Sequence, residues 1–304
     1  MKNSIFSKLI RAVLVTLVAV AVTCFILIQF VDLSFIPTWD RLYGNDSSFD
    51  EVSDSITFLN VGEGDSALVR SNGRFVLVDT GDGESIDIVR KLKKFGVTGI
   101  DALVLTHWHS DHIGGVKDVI DEFPVLNVVA PSLPDKSEEI YENALNVYDA
   151  VRDKNIDFSF VQQGMGINVG DFRLSVVYCN TENENENNRS AILMARCRES
   201  KFLFMADAEA SLEEELLEYG IKVDCDVIKI GHHGSSTSTS QKLIEAATPE
   251  YAVISVGADN NYGHPSSPVL EKLYLEKIEV LRTDRMGDIR FFVNEEEISV
   301  EEAS

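Results

Sequence analysis

The stretch "THWHSDHIGG", Thr106–Gly115, follows the apolar run "DALVL" and contains three of the six histidines in this 304-residue chain. An apolar run bounded by polar residues predicts a buried strand, and the paired glycines Gly114 and Gly115 predict a turn that leads into a helix. Imidazoles crowded at such a strand end need a shared partner, because a core offers them few hydrogen bonds. The stretch therefore fixes a buried strand, a turn and a polar site at one point of the fold.

The four polar side chains of this stretch are spaced as metal ligands. His107 and His109 are two apart, and on extended backbone such residues point the same way, so both imidazoles can bind one cation. Asp111 and His112 follow the turn and face a different direction, which suits a second cation. Imidazole and carboxylate without thiolate are typical ligands of zinc, manganese or iron. The alternative is a solvent-exposed loop in which the histidines occur by chance.

Apolar runs typical of strands alternate with amphipathic stretches along the rest of the chain. The predicted strands contain "SITFLN", "DSALVR", "RFVLVDT", "DALVLT", "VLNVVA", "FRLSVVY", "AILMARC", "KFLFMAD", "CDVIKI", "EYAVISV", "IEVLRT" and "DIRFFV". Helices are predicted near residues 88–95, 116–123, 140–151, 209–219, 241–246 and 268–275. About 250 residues of mixed strands and helices predict one α/β domain whose sheets are covered by helices.

The N-terminal segment has a different pattern. Residues 12–30 contain no charged side chain, and a helix of that length can cross a bilayer core. Basic residues precede the run and acidic residues follow it, which predicts a cytoplasmic N-terminus and an exported remainder. A cleaved signal peptide is the alternative, although its apolar core is normally shorter. We predict a cytoplasmic tip and transmembrane anchor at 1–31, a stalk at 32–54 and a folded domain at 55–304.

Charge limits the partners of the folded domain. The chain has 50 acidic and 27 basic residues and a net charge of −23, which disfavours polyanions unless metal ions or a local basic patch reverse the field. Only "RKLKKFG", Arg90–Gly96, and scattered arginines such as Arg282, Arg285 and Arg290 can supply a basic patch. The cysteines carry no disulfide framework and no metal-site spacing, and the sequence leaves open whether Cys179 pairs with Cys197.

The histidine run and seven further stretches of the chain resemble the motifs of one protein family. The His-x-His-x-Asp-His run resembles the signature of the metallo-β-lactamase superfamily. In chain order, the others are "FLNVGEGDSALV", "VLVDTGD", "NNRSAIL", "MADAE", "IKIGHHGSS", "SVGADNNYGHPSSPVL" and "RTDRMGDIRF". This set is similar to the branch that contains ComEC-like extracellular hydrolase domains. The resemblance covers Ser55–Val293 and implies a four-layer αββα sandwich with its site at the common edge of both sheets.

The resemblance also implies roles for residues outside the histidine run. Asp207 of "MADAE" matches the carboxylate that bridges both metals, and His232 matches the last ligand of the second metal. His233 beside it matches a substrate contact, and His264 matches a residue that contacts substrate or assists the leaving group. Asp79 matches an aspartate that steadies the ligand loop. The predicted metal ligands are thus His107, His109, Asp111, His112, Asp207 and His232, and the predicted catalytic residues are Asp111, His233 and His264.

The sequence departs from the family pattern at two places, the ligands of the first metal and the "DVGQGD" motif. No histidine lies between His112 and His232, so the third imidazole that β-lactamases and glyoxalases supply is missing. Asn188 or Ser190 of "NNRS" stands in the corresponding region, which argues against β-lactamase and thioesterase activities. Asn60 and Glu63 replace the usual acid and amide of "DVGQGD", and we expect both near the site rather than on a metal.

Two polar stretches flank these motifs. The acidic-amide run "TENENENN", Thr181–Asn188, is predicted to be a mobile loop without a role in the site. The hydroxyl-rich "GSSTSTS", Gly234–Ser240, has two interpretations. It holds phosphate oxygens through backbone amides and hydroxyls at a helix start, or it is a linker with a helix cap.

The function implied is a membrane-anchored, extracytoplasmic hydrolase with two divalent metal ions, Zn or Mn. A phosphodiesterase or nuclease that acts on DNA is the first expectation. A small or cell-wall-associated ester such as phosphocholine is the alternative substrate. A catalytically silent partner of an uptake or secretion apparatus is the alternative outside enzymes.

Overall fold

The structure is a computed structural model that describes residues 54–84, 86–258, 260–295 and 297–303. The predicted anchor and all of the predicted stalk except Asp54 lie outside the described residues. Within those ranges, none of the helices combines the length and apolar character needed to cross a membrane.

Fifteen strands and eight helices make up this described part. The strands are β1 Asp54–Phe58, β2 Ala67–Ser71, β3 Arg74–Val78, β4 Ala102–Val104, β5 Asn127–Ala130, β6 Asp157–Phe160, β7 Gly166–Val169, β8 Phe172–Tyr178, β9 Ile192–Cys197, β10 Ser200–Phe204, β11 Val227–Lys229, β12 Tyr251–Ile254, β13 Glu279–Arg282, β14 Asp288–Val293 and β15 Ile298–Ala303. The helices are α1 Ile88–Lys94, α2 Ser110–Ile113, α3 Val116–Glu122, α4 Tyr141–Asp153, α5 Ala210–Glu218, α6 Gln241–Ala247, α7 Ser267–Leu275 and α8 Thr283–Met286. Short 3₁₀ turns lie at Glu186–Arg189 and Gly231–Gly234.

The strands form two mixed sheets. The first has eight strands in the order β15-β14-β1-β2-β3-β4-β5-β6, and the second has seven in the order β13-β12-β11-β10-β9-β8-β7. Strands β3 to β6 are parallel neighbours in the first sheet, and β10 to β13 are parallel neighbours in the second. The remaining neighbouring strands pair in antiparallel orientation.

Three apolar layers hold the sheets and helices together. The central layer packs the sheets face to face: the rings of Phe58 and Phe204 have centroids 5.5 Å apart, and those of Phe202 and Phe291 are 5.7 Å apart. A second layer joins α1, α3 and α4 to the first sheet, and a third joins α5, α6 and α7 to the second. Each fully buried Phe or Leu contributes about 1.5–3 kcal/mol. The result is the predicted four-layer αββα sandwich.

The sequence pattern identified the buried strands and missed three of the four edge strands. All twelve predicted strands and all six predicted helices are present. Strands β6, β7 and β15 were not predicted, and each of them lies at the edge of its sheet. An edge strand has a neighbour on one side only and keeps exposed or half-buried side chains, so its apolar pattern is weak.

The parallel strands place the predicted site residues together. Asp79 follows β3, and the histidine run follows β4 at the same end of the first sheet. Asp207 follows β10, and the His232–His233 pair follows β11 in the second sheet. Because the sheets pack face to face, these carboxyl-terminal strand ends meet along one edge. Cys179, Cys197 and Cys225 are free thiols, so the Cys179–Cys197 disulfide that the sequence left open is absent from the described part.

Candidate metal centre

Four residues from both sheets form a group that we call the second metal group: Asp111, His112, Asp207 and His233. One donor atom from each lies within 4.8 Å of all the others. Asp207 Oδ1 is 3.2 Å from His112 Nε2 and 3.5 Å from His233 Nε2, and His233 Nε2 is 3.2 Å from Asp111 Oδ2. Two imidazoles and two carboxylates therefore converge on one point.

The first metal group consists of His107, His109 and the same Asp207. His107 Nε2 is 3.8 Å from Asp207 Oδ2 and 3.2 Å from His109 Nδ1. Asp207 thus presents Oδ2 to the first group and Oδ1 to the second. This arrangement of one buried carboxylate between two sets of imidazoles is what a bridging ligand requires.

Unsatisfied buried atoms show that the residues fit a metal ion. His112 Nε2 and Asp207 Oδ1 are buried and face each other, yet neither has a hydrogen-bond partner of adequate geometry. A buried polar atom left unpaired costs about 1–3 kcal/mol. A divalent cation between them would satisfy both atoms, and nitrogen and oxygen donors of this kind suit zinc or manganese.

The protonation states of the imidazoles fit the same interpretation. Burial holds the pKa of His107 and of His109 below the ordinary value, so both are neutral donors. Burial opposes the charged form of His112 and His233 too, but Asp207 and neighbouring carboxylates outweigh it. The pKa of His112 is therefore well above the ordinary value, and that of His233 rises to about 9. Without metal these two residues hold protons that a bound cation would replace.

Asp79 lies behind the ligand loop, where the resemblance implied a steadying role. Its Oδ1 accepts from the backbone N–H of Thr106 at 2.8 Å, and its Oδ2 accepts from Thr106 Oγ1 at 2.7 Å and contacts His112 Nδ1 at 2.8 Å. An Nδ1–H donor leaves Nε2 of His112 free to face the metal group, which is the usual arrangement for a metal-binding histidine.

The structure places His232 and His233 differently from the prediction. His233, predicted as a substrate contact, lies in the second metal group, and its Nδ1 is 3.0 Å from the carbonyl oxygen of Ser255. His232, predicted as a ligand of the second metal, lies outside that group with Nε2 3.9 Å from Asp207 Oδ2. Both residues have left-handed backbone, with φ of 48° and 52°, so their rings leave the chain in directions that a strand or helix pattern does not predict.

Asn188 and Ser190 do not complete the first metal group. Asn188 Oδ1 accepts from the backbone N–H of Glu209 at 3.0 Å, and its Nδ2 donates to Ser211 Oγ at 2.9 Å. Ser190 Oγ accepts from the backbone N–H of Asp207 at 3.2 Å. Both side chains brace the backbone around Asp207 instead of pointing to the metal groups.

The run Thr181–Asn188 braces the site, contrary to the prediction of a mobile loop without a role. Glu186 is buried, and its Oε1 accepts from the backbone N–H of Trp108 at 2.7 Å, between His107 and His109. Asn185 Nδ2 donates to Glu209 Oε2 at 2.9 Å. A polar composition predicted solvent exposure, but Glu186 and Asn185 find partners that are distant in sequence, and that of Glu186 is buried.

A protein carboxylate binds the backbone amides at the end of the hydroxyl-rich segment Gly234–Ser240. Glu213 of α5 is fully buried, and its two oxygens accept from the backbone N–H groups of Thr239, at 2.5 Å, and Ser240, at 2.7 Å. Ser240 also caps α6 by accepting from Leu243 N at 3.2 Å. The helix-cap interpretation is therefore correct at these amides, and they are not available as a phosphate cradle.

His264 lies at the rim of the centre and is partly exposed. Its ring is stacked at 20° to that of His233, with centroids 6.5 Å apart, and the exposed ring of Tyr262 stacks on it at 5.8 Å. Asn260 fixes this loop, because its Oδ1 accepts from His264 N at 2.9 Å and its Nδ2 donates to His264 O at 2.8 Å. Burial, and then the neighbouring histidines, lower the pKa of His264. A neutral imidazole at this place is available to contact a substrate oxygen.

Sequence reasoning missed a buried ion pair behind the second metal group. Lys229 Nζ is 2.8 Å from Asp65 Oδ2 and donates to the carbonyl oxygen of Ile230 at 2.8 Å. Asp65 Oδ1 lies 3.5 Å from His233 Nδ1. A lysine inside the apolar run "VIKI" was the available signal, because a buried lysine needs a partner. Glu63, expected near the site, has a buried Oε1, and burial raises its pKa.

The fold and the two metal groups together define a protein of the αββα class with a candidate two-metal centre. A sequence model described as the metallo-β-lactamase superfamily matches residues 59–178. The chain belongs to the metallo-β-lactamase superfamily, and the curated proteins similar to it include ComEC-like members. Members of this superfamily are metal-dependent hydrolases.

Two curated relatives and one solved structure illustrate the similarity. "ComE operon protein 3" of Bacillus subtilis is 29% identical over 260 residues, and "Competence protein ComA" of Neisseria gonorrhoeae is 32% identical over 241 residues. Each alignment covers 78% of this chain and 32% of the relative, so the chain spans about a third of their length. CmlA, a diiron β-hydroxylase from Streptomyces venezuelae, shares the fold with a TM-score of 0.52 at 14% identity, covering 80% of this chain and 54% of CmlA.

Proposed function

We propose that this chain is a phosphodiesterase that works with two divalent ions, Zn or Mn. The observation that carries the proposal is the position of Asp207, whose Oδ1 faces His112 and His233 while Oδ2 faces His107. Two adjacent cation positions joined by one carboxylate suit the hydrolysis of a phosphate ester, whose attacking and leaving oxygens both carry developing charge.

The bound ions would stabilise charge on the phosphate and lower the pKa of the attacking water. The chain's own residues orient the reactants. Asp111 is the most exposed ligand of the second group and lies beside His233, so it can position a water molecule by accepting its hydrogen bond. His264, neutral at the rim, can contact the leaving oxygen. Asp79 and Glu186 keep the ligand loop in place from behind.

A nucleic-acid strand is the substrate that we favour, because one similar protein is named a competence protein and another a recombination protein. The structure restricts how such a strand would bind. Of the predicted basic residues, Lys91 pairs with Asp288 at 2.6 Å, Lys93 pairs with Glu122, and Arg282 pairs with Asp284. Because these charges are already neutralised, a strand would make few phosphate contacts, and its binding would depend weakly on salt.

A small phosphodiester with a quaternary ammonium group, such as a phosphocholine ester, is the second candidate. The specific observation in its favour is Tyr262, a residue that is 76% exposed and whose ring stacks on that of His264. An exposed aromatic face in an acidic protein attracts such a cation.

The test is hydrolysis by the purified full chain, with Zn or Mn, of plasmid DNA, a single-stranded oligonucleotide, an aryl phosphodiester and a phosphocholine ester. Asp207→Ala is the inactive control, since it removes the bridging carboxylate. Metal-dependent cleavage of a diester that is lost in the variant supports the proposal. No cleavage of any diester by metal-loaded protein would favour the catalytically silent partner, and equal activity of the variant would refute the two-metal site.

We further propose that residues 1–31 anchor the chain in the cell membrane, with 32–54 as a stalk and 55–304 as an exported catalytic domain. The uncharged run and its flanking charges support this topology. Protease added to intact cells should digest the domain. A domain protected until lysis, or a mature N-terminus that begins after residue 20, would contradict the anchored topology.

A further inference from the structure

The first metal group has fewer preset donors than the second. Three residues form it, whereas four form the second. Asn188 and Ser190, the predicted replacements for the missing imidazole, are engaged with backbone N–H groups. A fourth protein donor for the first group has to be sought among the other side chains near Asp207 Oδ2, because water completes a site that has only three protein ligands.

Three of the four imidazoles in the two metal groups, those of His107, His112 and His233, share a feature that points to such a donor. His107 has its Nδ1 3.2 Å from Thr106 Oγ1, that of His112 lies 2.8 Å from Asp79, and that of His233 lies 3.0 Å from a backbone carbonyl. An outer partner on one ring nitrogen fixes the tautomer and directs the other nitrogen to the metal.

His232 has the same arrangement. Its Nδ1 lies 3.4 Å from Glu209 Oε1 and 3.4 Å from Thr237 Oγ1. Its Nε2 lies 3.9 Å from Asp207 Oδ2, which is the oxygen that faces His107 at a similar 3.8 Å. The ring is therefore oriented towards the first group's side of the bridging carboxylate and away from the side of the second.

Glu209 is itself held in place. Thr237 Oγ1 donates to its Oε1 at 3.0 Å, and Asn185 Nδ2 donates to its Oε2 at 2.9 Å. Its side chain is 19% exposed, so a carboxylate with fixed neighbours stands behind the imidazole. This network explains why the run Thr181–Asn188 packs onto the site.

We propose that His232 is the fourth donor of the first metal group and that Glu209 is its positioning residue. Donors about 2.1 Å from one tetrahedral ion are about 3.4 Å apart, so the 3.9 Å separation from Asp207 Oδ2 is close to that of co-ligands. His232 does not lie within 4.8 Å of every donor of the group, so the proposal requires its ring to turn towards His107 and His109 when an ion binds. Its 23% exposure leaves room for that movement.

The proposal rests on the metal centre of the proposed function, and its test measures metal binding directly. The full-length chain, stripped of metal, is titrated with Zn²⁺ alone and with Mn²⁺ alone against a competing chelator, and bound metal is counted. Two binding steps are expected, with the weaker assigned to the first group. His107→Ala should weaken this weaker step, and His233→Ala should weaken the tighter one.

His232→Ala should weaken the weaker step by about 100-fold or more and leave the tighter step unchanged. In the His107→Ala background the same change should have no further effect on the remaining ion. His264→Ala is the matched control, because it removes a neighbouring imidazole that belongs to neither group, and both steps should remain. Thermal melts of the metal-free variants check that each one folds.

Glu209 is tested by Glu209→Ala and Glu209→Gln. The alanine variant should weaken the weaker step about 10–100-fold, and glutamine, which keeps an acceptor oxygen for His232 Nδ1, should restore part of the loss. Loading the first group with Co²⁺ provides a second readout, since loss of a nitrogen donor in His232→Ala changes the visible absorption of the ion.

If His232→Ala abolishes the tighter binding step, His232 is a ligand of the second metal. If the affinities of both binding steps are unchanged in that variant, His232 is not a ligand. Either result overturns the inference. Hydrolysis measured in parallel separates the two proposals. Two-step binding that responds to His232→Ala without cleavage of any diester refutes the function alone. Cleavage with unchanged metal binding in that variant refutes the inference alone.

Discussion

Replacing Glu186 with alanine is expected to loosen the first metal group from a distance. Trp108 lies between His107 and His109, is buried, and donates its backbone N–H to Glu186 Oε1 at 2.7 Å. Glu186 Oε2 is 3.3 Å from Arg189 Nη1. The carboxylate therefore fixes the backbone from which both ligands of the first group extend.

The stability cost of Glu186→Ala follows from these contacts. A hydrogen bond to a charged group contributes about 1.5–3 kcal/mol, and its loss leaves a buried N–H without an acceptor. Burial raises the pKa of Glu186, so removal of the carboxylate also relieves a desolvation cost. Arg189 keeps Glu138 as a partner at 2.6 Å. We expect a net loss of about 1–2 kcal/mol, and a smaller loss for Glu186→Gln, which keeps an acceptor oxygen for Trp108.

Metal binding should respond selectively to this change. The first metal group should lose about 10–100-fold in affinity, as is usual when a supporting contact of a ligand is removed, while the second group, held by Asp79, should keep its ion. Denaturant unfolding and chelator competition measure the two effects. Glu184→Ala is the control, because Glu184 belongs to the same acidic-amide run but is exposed. Equal loss from both metal groups, or unchanged stability in Glu186→Ala, would refute the role assigned to this contact.

Three other changes test separate features of the structure. Gly64→Ala should weaken the second metal group and destabilise the fold by several kcal/mol, because its φ is +113° and an added Cβ would meet the Asp111 carbonyl oxygen at 2.0 Å. Gly73→Ala is the control, since Gly73 has φ +71° and open space around it, and it should cost only about 1–2 kcal/mol. Similar unfolding curves for the two variants would contradict the role of this contact. Burial raises the pKa of Glu213 above 4.5, so between 4.5 and the raised pKa the folded state holds a proton that the unfolded state has lost. The free energy of unfolding should therefore fall as pH rises through this window, by at most ~1.4 kcal/mol per pH unit. A Glu213→Gln variant with the same pH slope would show that Glu213 is not the group responsible. His264→Ala should lower kcat about 100-fold with both metals still bound, whereas a loss of metal would show that His264 is a ligand.

Local patterns in the sequence were sufficient for the buried elements. The run "DALVL" predicts a strand because its apolar side chains fill both faces of a sheet, and the spacing of Ile88, Leu92 and Phe95 predicts one face of a helix. The pair His107 and His109 follows the same logic, since extended backbone alone points both rings to one side. These features depend on neighbours within a few residues of each other.

The positions of His232 and His233 were decided by tertiary structure. Both follow a buried strand and both are histidines, so the local pattern offers no reason to prefer either as a ligand, and only the family resemblance pointed to His232. Left-handed backbone at both residues turns one ring towards Asp111 and the other towards Glu209. That conformation is stabilised by the surrounding packing rather than by the residues themselves, because left-handed backbone is unfavourable for side chains with a Cβ.

Long-range contacts decided the rest of the site. Glu186 reaches a backbone N–H that is 78 positions away in the sequence, and Asp65 reaches Lys229 across the two sheets. Acidic residues in a polar run are usually solvated, and composition therefore predicted a loop. Only the packing of one sheet on the other creates buried donors for these carboxylates. Sequence thus determined the strand ends that carry the ligands, and the sandwich determined which side chains hold them in place.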